Sequence, residues 1–581
     1  MTILPIVAVC AVVLIAAYFI YGRLLVRWLG VDPSRPTPAV ELSDGNDYVP
    51  APPGVVLGGH FTAIAAAGPV VGPILAALAF GWLPALLWIV LGAIFIGGVH
   101  DAGALLASIR HKAASITQVV KQHMSPLAYL AFLLFVWISL IYVIIAFADV
   151  TAGTFSKFAT YPTAGGEPVS LNGGSIVIGA SGYLLASILL GLLLRFTKLP
   201  WYFGLLIMVV GLGATIWASP SIAGWLASHG LSFLDTQGKD AFVLAKRWDL
   251  ALLVYCFIAS VVPMWMLLQP RGVIGATFLY AALFFGVAGT VIGGWSSDGA
   301  LAVQYPAFTG FFSESAGYLF PFLFITIACG ACSGFHSVVA SGTTCKQIRS
   351  EKDIKPVAYG AMLLEAMVAV FSVTCVMVLL PGAKAGSPDF VYASGIATFM
   401  NYLGIDRAFA LTFGLLAFSS FVFDTLDVCT RLARYVFQEM TGIGGFVGGA
   451  IATGVTLVGP AFYLWYAPPE WGFRTFWVIF GTSNQLLAAL TLVGVSVWLW
   501  RTGRPVWFAL APAIFMICST GTALVLNFLR FLKDYNLKPG TPLMVNMAIA
   551  AVLFGLGALV VFEALRVWRM TRKVTDPVPT A

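Results

Sequence analysis

Apolar residues run through this chain in long blocks, and the charged residues fall in short stretches between them. A helix needs about 20 apolar residues to cross a hydrocarbon core of roughly 30 Å. The pattern therefore predicts an all-α polytopic membrane protein. Its fifteen predicted spans, numbered 1 to 15 in chain order, cover residues 3–22, 56–79, 82–107, 127–150, 174–196, 201–226, 250–269, 273–294, 318–343, 356–381, 408–437, 444–466, 474–500, 506–529 and 543–567.

Span 9 departs from the pattern of a lipid-facing helix. Its first third is bulky and apolar, but the stretch that follows, ACGACSGFHSVVASGTTCK, brings glycine, cysteine and hydroxyl side chains to membrane depth. Such interrupted spans survive in hydrocarbon only where protein or a water-filled cavity surrounds them. The pattern predicts a broken helix beside a transport pathway.

Span 2 shares this character, because Gly68-Pro69 and Gly72-Pro73 lie four residues apart within it. Proline removes a backbone donor and clashes with the preceding turn, and glycine weakens a helix by about 1 kcal/mol relative to alanine. We expect the helix to unwind near its middle. Spans 2 and 9 run in opposite directions, and a pair of broken helices in two inverted halves indicates the binding site of a transporter.

This pairing predicts the organisation of a single membrane transport domain with LeuT-like inverted five-helix repeats. Spans 2 to 6 form one repeat and spans 9 to 13 the other. The predicted divisions are an N-terminal helix and inner loop (1–55), a first repeat (56–226), extra helices (227–317), a second repeat (318–500) and C-terminal helices (501–581). Segment 382–407 is interpreted either as an outer lid or as an exposed loop with a short surface helix.

Composition and charge agree with this class. The chain is 60% hydrophobic and 9% charged, against roughly 25% charged for a soluble domain. Most of the 31 lysine and arginine residues fall in the loops on one side, which predicts an inner (plasma) membrane protein with its N-terminus outside and its C-terminus in the cytoplasm. The net charge of +7 then reflects anchoring at the lipid bilayer surface, not nucleic-acid binding.

Carboxylates within predicted spans are candidates for function, because each charge costs about 2.5 to 3.5 kcal/mol to insert there. Asp101, Glu365, Asp424 and Asp427 are therefore candidates for ion coupling. Asp427 precedes Arg431 by four residues, which favours a structural ion pair with Arg431 and, one further turn on, Arg434. Asp424 has no basic partner in its own helix, which makes it the better candidate to bind a cation or a proton.

Two histidines, His60 and His336, lie in the two interrupted spans, and histidine titrates near neutral pH. Each is either a coupling group or a neutral histidine bonded to the backbone. In span 13, Asn484 and Gln485 either bind substrate or hold helices together. Both pairs of alternatives stay open from the sequence.

Cys329, Cys332 and His336 are spaced to share one helical face and could in principle ligate a soft metal. A fourth ligand is not evident, and small residues in a crowded helix interface explain the spacing as well. We predict no metal, no cofactor and no enzyme activity.

Three long motifs closely resemble the carbon starvation protein A (CstA) family of bacterial inner-membrane transporters: GGHFTAIAAAGPVVGPILAA from Gly58, LFPFLFITIACGACSGFHSVVASGTTCK from Leu319 and FGTSNQLLAA from Phe480. The resemblance covers nearly the whole chain. It implies uptake of pyruvate or of peptides, driven by protons, on a fold of the amino acid/polyamine/organocation type. Members of the family often lack the second cysteine, which stands at position 332 here, and this weakens the metal interpretation further.

The resemblance also implies roles for individual residues. One broken helix would be shaped by His60, Gly68, Pro69, Gly72 and Pro73. The other would be shaped by Gly330, Ser333 and His336. Further matches to family positions are Asp101, Glu365, Asp427, Asn484 and Gln485.

Together these patterns predict a secondary active transporter that binds a small carboxylate such as pyruvate between spans 2, 9 and 13, where helix N-termini would face the anion. A proton is the expected coupling ion, with sodium less favoured. Peptide uptake is the alternative substrate, and a membrane sensor or scaffold without flux is the alternative class.

Overall fold

The computed structural model describes residues 2–44, 48–65, 67–163, 166–296, 299–379, 386–467, 473–537 and 541–570. Most of them are helical, as expected. The helices, α1 to α22 in chain order, are Leu4–Phe19, Tyr21–Leu29, Pro38–Glu41, Pro53–Ile64, Gly68–Phe80, Trp82–Gly92, Gly98–Arg110, Ile116–His123, Pro126–Ser156, Gly173–Phe196, Trp201–Ser228, Ala241–Val261, Leu268–Gly293, Leu319–Thr326, Phe335–Gly342, Ala361–Met377, Pro388–Asn401, Arg407–Thr441, Gly445–Tyr466, Phe473–Arg501, Trp507–Leu537 and Thr541–Met570.

Twelve helical segments in the described part of the chain are long and apolar enough to cross a membrane, and the bent pair α4–α5 makes a thirteenth. Two further predicted spans coincide with α12 and with the interrupted α14–α15 pair. Each of the fifteen predicted spans thus has a helical counterpart, which confirms an all-α polytopic membrane protein. The exact number of crossings stays a prediction.

Burial separates central helices from peripheral ones. In α18 and α20, 94% of the most apolar stretch is buried, whereas α11 buries 17% and α1, together with α2, 22%. Because a chain this apolar has to meet lipid somewhere, the peripheral helices supply that surface and α18 and α20 form the protein-facing core. Both central helices carry residues predicted to belong to the site.

Two small antiparallel hairpins lie between helices. Strand β1 (Phe158–Thr163) pairs with β2 (Gly166–Asn172), with Phe158 opposite Asn172 and an irregular register near Tyr161. Strand β3 (Phe312–Ser313) pairs with β4 (Gly317–Tyr318) directly before α14. The hairpins connect helices and add no layer to the core.

In segment 382–407, residues 382–385 lie outside the described residues. The rest contains α17, whose side chains are mostly buried against α18, α13 and α16. The interpretation as an exposed surface helix is therefore wrong, and the lid interpretation stays a prediction. The inverted repeats and their divisions likewise stay predictions.

Candidate functional site

The first predicted break lies between α4 and α5. Helix α4 ends at Ile64, α5 begins at Gly68, and the two axes differ by 46°. The break lies near the middle of span 2, as predicted, and it directly precedes the two Gly-Pro steps. Pro69 stands in the first turn of α5, where its missing N–H would have had no helical partner. Pro73 lies one turn later, inside α5.

The second predicted break lies between α14 and α15, where residues 327–334 leave the helix. Gly330 has φ of +88°, a left-handed conformation that a side chain would strain. Cys329 and Cys332 both lie within this break. The prediction that they share one helical face with His336 is therefore wrong, because no helix connects the three residues.

The two breaks are in direct contact. A Cβ on Gly68 would overlap the side chain of Cys329, and a Cβ on Gly72 would overlap the carbonyl oxygen of Thr326. Glycine is needed at both positions because backbone of one broken helix meets the other at van der Waals distance. Both glycines are predicted to bind substrate. In this conformation they pack against the second broken helix.

The amides of α20 hold the second break. Asn484 Oδ1 accepts a hydrogen bond from the Phe335 N–H at 2.9 Å and one from the Ser333 hydroxyl at 3.2 Å. Gln485 Nε2 donates to the Phe324 and Ile327 carbonyls at 3.0 and 3.3 Å. The Phe335 N–H and the Phe324 and Ile327 carbonyls are backbone groups that the broken helix leaves without helical partners. Of the two alternatives for these amides, the structure supports holding helices together.

Four buried side chains meet at the second break and form what we call the His336 cluster: His100, Asp101, His336 and Glu365. His336 lies between two carboxylates, with Nδ1 2.9 Å from Asp101 Oδ2 and Nε2 3.2 Å from Glu365 Oε2. His100 Nδ1 lies 2.7 Å from Asp101 Oδ1, as its neighbouring position suggested. The cluster can hold and exchange protons between imidazole and carboxylate groups.

Glu365 also reaches the backbone of the break, because its Oε1 accepts a hydrogen bond from the Gly330 N–H at 2.9 Å. His60 does not join this cluster by a hydrogen bond. Its Nδ1 lies 2.9 Å from the Thr344 hydroxyl beyond α15, so it connects α4 to the end of the second broken helix. The alternative of a histidine bonded to the backbone does not hold for the His60 Nδ1, whose partner is a side-chain hydroxyl.

A second group of buried side chains surrounds Arg271, a residue that the sequence placed in a loop. We call it the Arg271 cluster: Arg271, Asp424, Asp427, Tyr183 and Tyr255. Arg271 Nε lies 2.7 Å from Asp424 Oδ1, and Nη1 contacts Asp427 Oδ2 and the Tyr255 hydroxyl. Tyr255 donates to Asp427 at 2.8 Å, and Tyr183 donates to Asp424 at 3.1 Å.

This arrangement corrects the predicted ion pair between Asp427 and Arg431. Arg431 donates to the carbonyls of Ala259 and Val262, and Arg434 donates to that of Ser260. These carbonyls lie at the C-terminal end of α12, where no further helical N–H group is available to donate to them. The signal for Arg271 was available: an arginine directly after a proline at the start of an apolar run belongs to the first turn of the helix.

Two cavities with shared walls lie beside the Arg271 cluster. The first has a volume of about 280 Å³ and is lined by His60, Arg271, Asp424 and Asp427, among others. The second has a volume of about 480 Å³, shares Gln269 and Gln347 with the first, and reaches residues of the predicted inner face such as Lys346 and Glu439. A solute could therefore approach Arg271 from that face.

The donor atoms of Cys329, His336 and Glu365 lie within 4.8 Å of one another, the only such grouping found among the described residues. Three donors fall short of the four that a closed metal site normally has. His336 and Glu365 already face each other as an ion pair. The absence of a metal stays a prediction.

Two broken helices in contact, with charged clusters buried beside them, define the class of polytopic membrane transport proteins. The profile of the family described as carbon starvation protein CstA matches residues 2–387 and 383–523 of this chain. The chain belongs to this family.

Named relatives share about 30% of their residues with this chain. The peptide transporter CstA of Campylobacter jejuni is 31% identical over 603 residues, covering 89% of this chain and 79% of that protein. The peptide transporter CstA of Bacillus subtilis is 30% identical and covers 97% and 96%. The pyruvate/proton symporter BtsT of Escherichia coli is 29% identical and covers 90% and 81%.

Similar solved structures are also membrane transporters. A manganese transporter of Eremococcus coleocola matches with a TM-score of 0.46 at 12% identity, covering 91% of this chain and 99% of that one. A Na+-coupled sialic acid symporter matches with a TM-score of 0.40 at 10% identity, covering 97% and 99%.

Proposed function

We propose that this protein takes up a small carboxylate such as pyruvate by proton symport with alternating access across the bacterial inner membrane. Membership of the CstA family supports transport. The Escherichia coli relative named as a pyruvate/proton symporter supports this substrate and this coupling ion. The buried acids supply groups that can carry the proton.

The observation that carries this proposal is the hydrogen bond between Glu365 and the backbone of the second break. Glu365 accepts from the Gly330 N–H and faces His336 with its other oxygen. Protonation of Glu365 weakens both interactions, because a hydrogen bond or ion pair to a charged acceptor is stronger than one to a neutral acid. The proton thereby acts on the same backbone that packs against the first break.

The two breaks form the substrate passage in this proposal. Gly68, Gly72 and Pro69 of the first broken helix contact the second one at Cys329, Thr326 and Gly330, respectively. In this proposal Pro73 and Ser333 line the same passage, and Asn484 and Gln485 hold the second break. Because the breaks touch in this conformation, substrate passes when they separate. The N-terminus of α5 is then free to face an anion.

Purified protein in proteoliposomes tests the proposal. With a pH gradient that is acidic outside, we expect labelled pyruvate to accumulate above its external concentration, and a protonophore to abolish the accumulation. Accumulation that follows a sodium gradient at equal pH would contradict proton coupling. Protein that binds pyruvate but moves none under any gradient would support a sensor or scaffold in its place.

Peptide uptake is the second candidate, favoured by the size of the space beside Arg271. The adjoining cavities of about 280 and 480 Å³ exceed what pyruvate needs, and several relatives are named peptide transporters. Competition separates the two substrates: unlabelled dialanine should leave pyruvate uptake unchanged if pyruvate is the substrate. Uptake of labelled dialanine without pyruvate uptake would reverse the choice.

A further inference from the structure

The Arg271 cluster contains one more acid than base. Among the described residues that line the smaller cavity, the charged side chains are Arg271, Asp424 and Asp427. All three are nine-tenths or more buried. With both carboxylates ionised the cluster carries one uncompensated negative charge, which is costly to keep away from water. A proton or another cation is needed to balance it.

One edge of the Arg271 guanidinium is only half used. Nη1 is occupied by Asp427 and Tyr255. Nε lies 2.7 Å from Asp424 Oδ1 as an ion pair, but neither Nε nor Nη2 forms a hydrogen bond to a partner among the described residues. Nε and Nη2 together form the edge that binds both oxygens of a carboxylate through parallel hydrogen bonds. A single oxygen of Asp424 stands there, and Arg271 lines the cavity.

Tyr183 can serve Asp424 in either protonation state. Its hydroxyl lies 3.1 Å from Asp424 Oδ1 and 3.1 Å from the carbonyl oxygen of Arg271. When Asp424 is ionised, Tyr183 donates to it. When Asp424 is protonated, the new O–H can donate to Tyr183, which turns its own proton to the carbonyl. The hydrogen bond between Tyr183 and Asp424 is therefore kept in either protonation state of Asp424.

The surroundings of Asp424 contain few other groups that could take its proton. Titratable or charged side chains face it from four elements besides its own helix α18: His60 of α4, Tyr183 of α10, Tyr255 of α12 and Arg271 of α13. Asp427 on α18 is engaged by Arg271 and Tyr255 at one oxygen. The carboxyl that shares the half-used edge of Arg271 is that of Asp424.

We propose that the substrate carboxylate binds the Nε–Nη2 edge of Arg271 in exchange for a proton taken up by Asp424. The step balances: Asp424 gains a proton from solvent and releases Nε–H, and the two substrate oxygens accept from Nε–H and Nη2–H. One proton accompanies each monocarboxylate, and in the proposed cycle Glu365 carries this same proton and not a second one. This inference rests on the proposed function and assigns its anion site to α13, outside the two predicted repeats.

Proton counting on the purified protein tests this exchange. Titration of pyruvate into the protein in buffers of different ionisation enthalpy should show about one proton taken up per pyruvate. The affinity for pyruvate should weaken by up to about tenfold for each unit by which the pH rises, in the range where Asp424 of the empty site is ionised. Pyruvamide, which has the same shape without the charge, should neither compete nor take up a proton, and this control needs no variant.

Variants identify the two groups. Asp424→Asn should bind pyruvate without proton uptake and with an affinity that does not change with pH. Arg271→Lys keeps the charge but loses the two-donor edge, so pyruvate binding should weaken about tenfold or more. Asp389→Asn, a change of another buried aspartate that bonds Thr154, should keep the proton uptake of the wild type. Thermal unfolding confirms that each variant is folded.

Three outcomes would overturn the exchange: no proton uptake by the wild type, proton uptake that persists in Asp424→Asn, or full affinity in Arg271→Lys. Sodium-dependent binding at constant pH would assign the balancing charge to a metal cation and would also overturn it. The proposed function fails separately, when wild-type proteoliposomes accumulate no pyruvate. Accumulation driven by the pH gradient in the wild type, together with any of these outcomes, contradicts only the exchange.

Discussion

Arg271 and His336 occupy equivalent positions in their clusters, since each lies between two buried carboxylates. The two bases differ in one respect: an imidazole can lose its proton, whereas a guanidinium keeps its charge in proteins. In the His336 cluster, base and acids can both change protonation. In the Arg271 cluster only the acids can, so the charge that attracts an anion is permanent.

Glu365→Gln should uncouple transport, because the amide oxygen still accepts from the Gly330 N–H but the side chain no longer changes charge. We expect uphill pyruvate accumulation in proteoliposomes to be lost, while exchange of labelled for unlabelled pyruvate at equal pH persists. Glu314→Gln, a change at an exposed position, is the matched control and should accumulate pyruvate as the wild type does. Uphill uptake by Glu365→Gln would remove Glu365 from the coupling pathway.

A histidine pair outside the membrane spans predicts a pH dependence of stability. His111 Nδ1 donates to the Ala107 carbonyl, and its Nε2 lies 2.7 Å from His123 Nε2, so at least one of these two facing nitrogens carries no proton. Burial, followed by the neighbouring His111, lowers the pKa of His123 from 6.5 to about 3. The unfolded chain takes up this proton below pH 6.5 and the native protein resists until about pH 3. Stability is therefore complete above pH 6.5 and falls below it.

Thermal unfolding in detergent between pH 7.5 and 5 measures this effect. His123→Gln should show a smaller drop in the unfolding midpoint across that range than the wild type. His229→Gln, a change of an exposed histidine, should keep the wild-type drop. An equal drop in all three proteins would show that the pair does not contribute.

At the scale of elements, the sequence predicted the helices and both breaks because these depend on local composition. Run length and Gly-Pro steps act within about one turn, so they can be recognised without knowing the neighbours. The partners of Asp424 and Asp427 could not be recognised in this way, since Arg271 lies 153 and 156 residues away. The local rule for residues four apart failed for Arg431, whose real partners are carbonyls at the end of another helix.

The contact between the breaks predicts opposite effects for two glycines of the same broken span. Gly72→Ala places a Cβ against the Thr326 carbonyl oxygen and should lower the free energy of unfolding by about 1 to 3 kcal/mol. Gly59→Ala meets open space within α4 and should raise it by up to about 1 kcal/mol, through helix propensity. Denaturant unfolding of both variants checks this, and equal effects would contradict the contact.

At the scale of the whole molecule, central helices carry the charged clusters and peripheral helices face lipid. Hydropathy predicts this division only in part. Helices α18 and α11 are similarly apolar, but α18 is buried by other helices and α11 is largely exposed. The predicted orientation, with the N-terminus outside, rests on the distribution of lysine and arginine. The larger of the two adjoining cavities is lined by residues of the face that this distribution places inside.

Cysteine labelling checks the orientation. Gln237→Cys lies in the predicted outer loop before α12 and should react with a membrane-impermeant maleimide in intact cells. Ser34→Cys lies in the predicted inner loop after α2 and should react only after permeabilisation. Both positions are exposed, so access to solvent does not distinguish them. The reverse labelling pattern would invert the topology and place the cavity on the outer side.

The excess carboxylate of the Arg271 cluster has an electrical consequence. A carrier loaded with one proton and one monocarboxylate moves no net charge, so the membrane voltage, worth about 2.3 kcal/mol per charge at 100 mV, does no work on the loaded step. The pyruvate accumulation ratio at steady state should therefore rise about tenfold per unit of pH difference and stay unchanged when a potassium diffusion potential is imposed. A ratio that follows the voltage would require a second proton for each substrate.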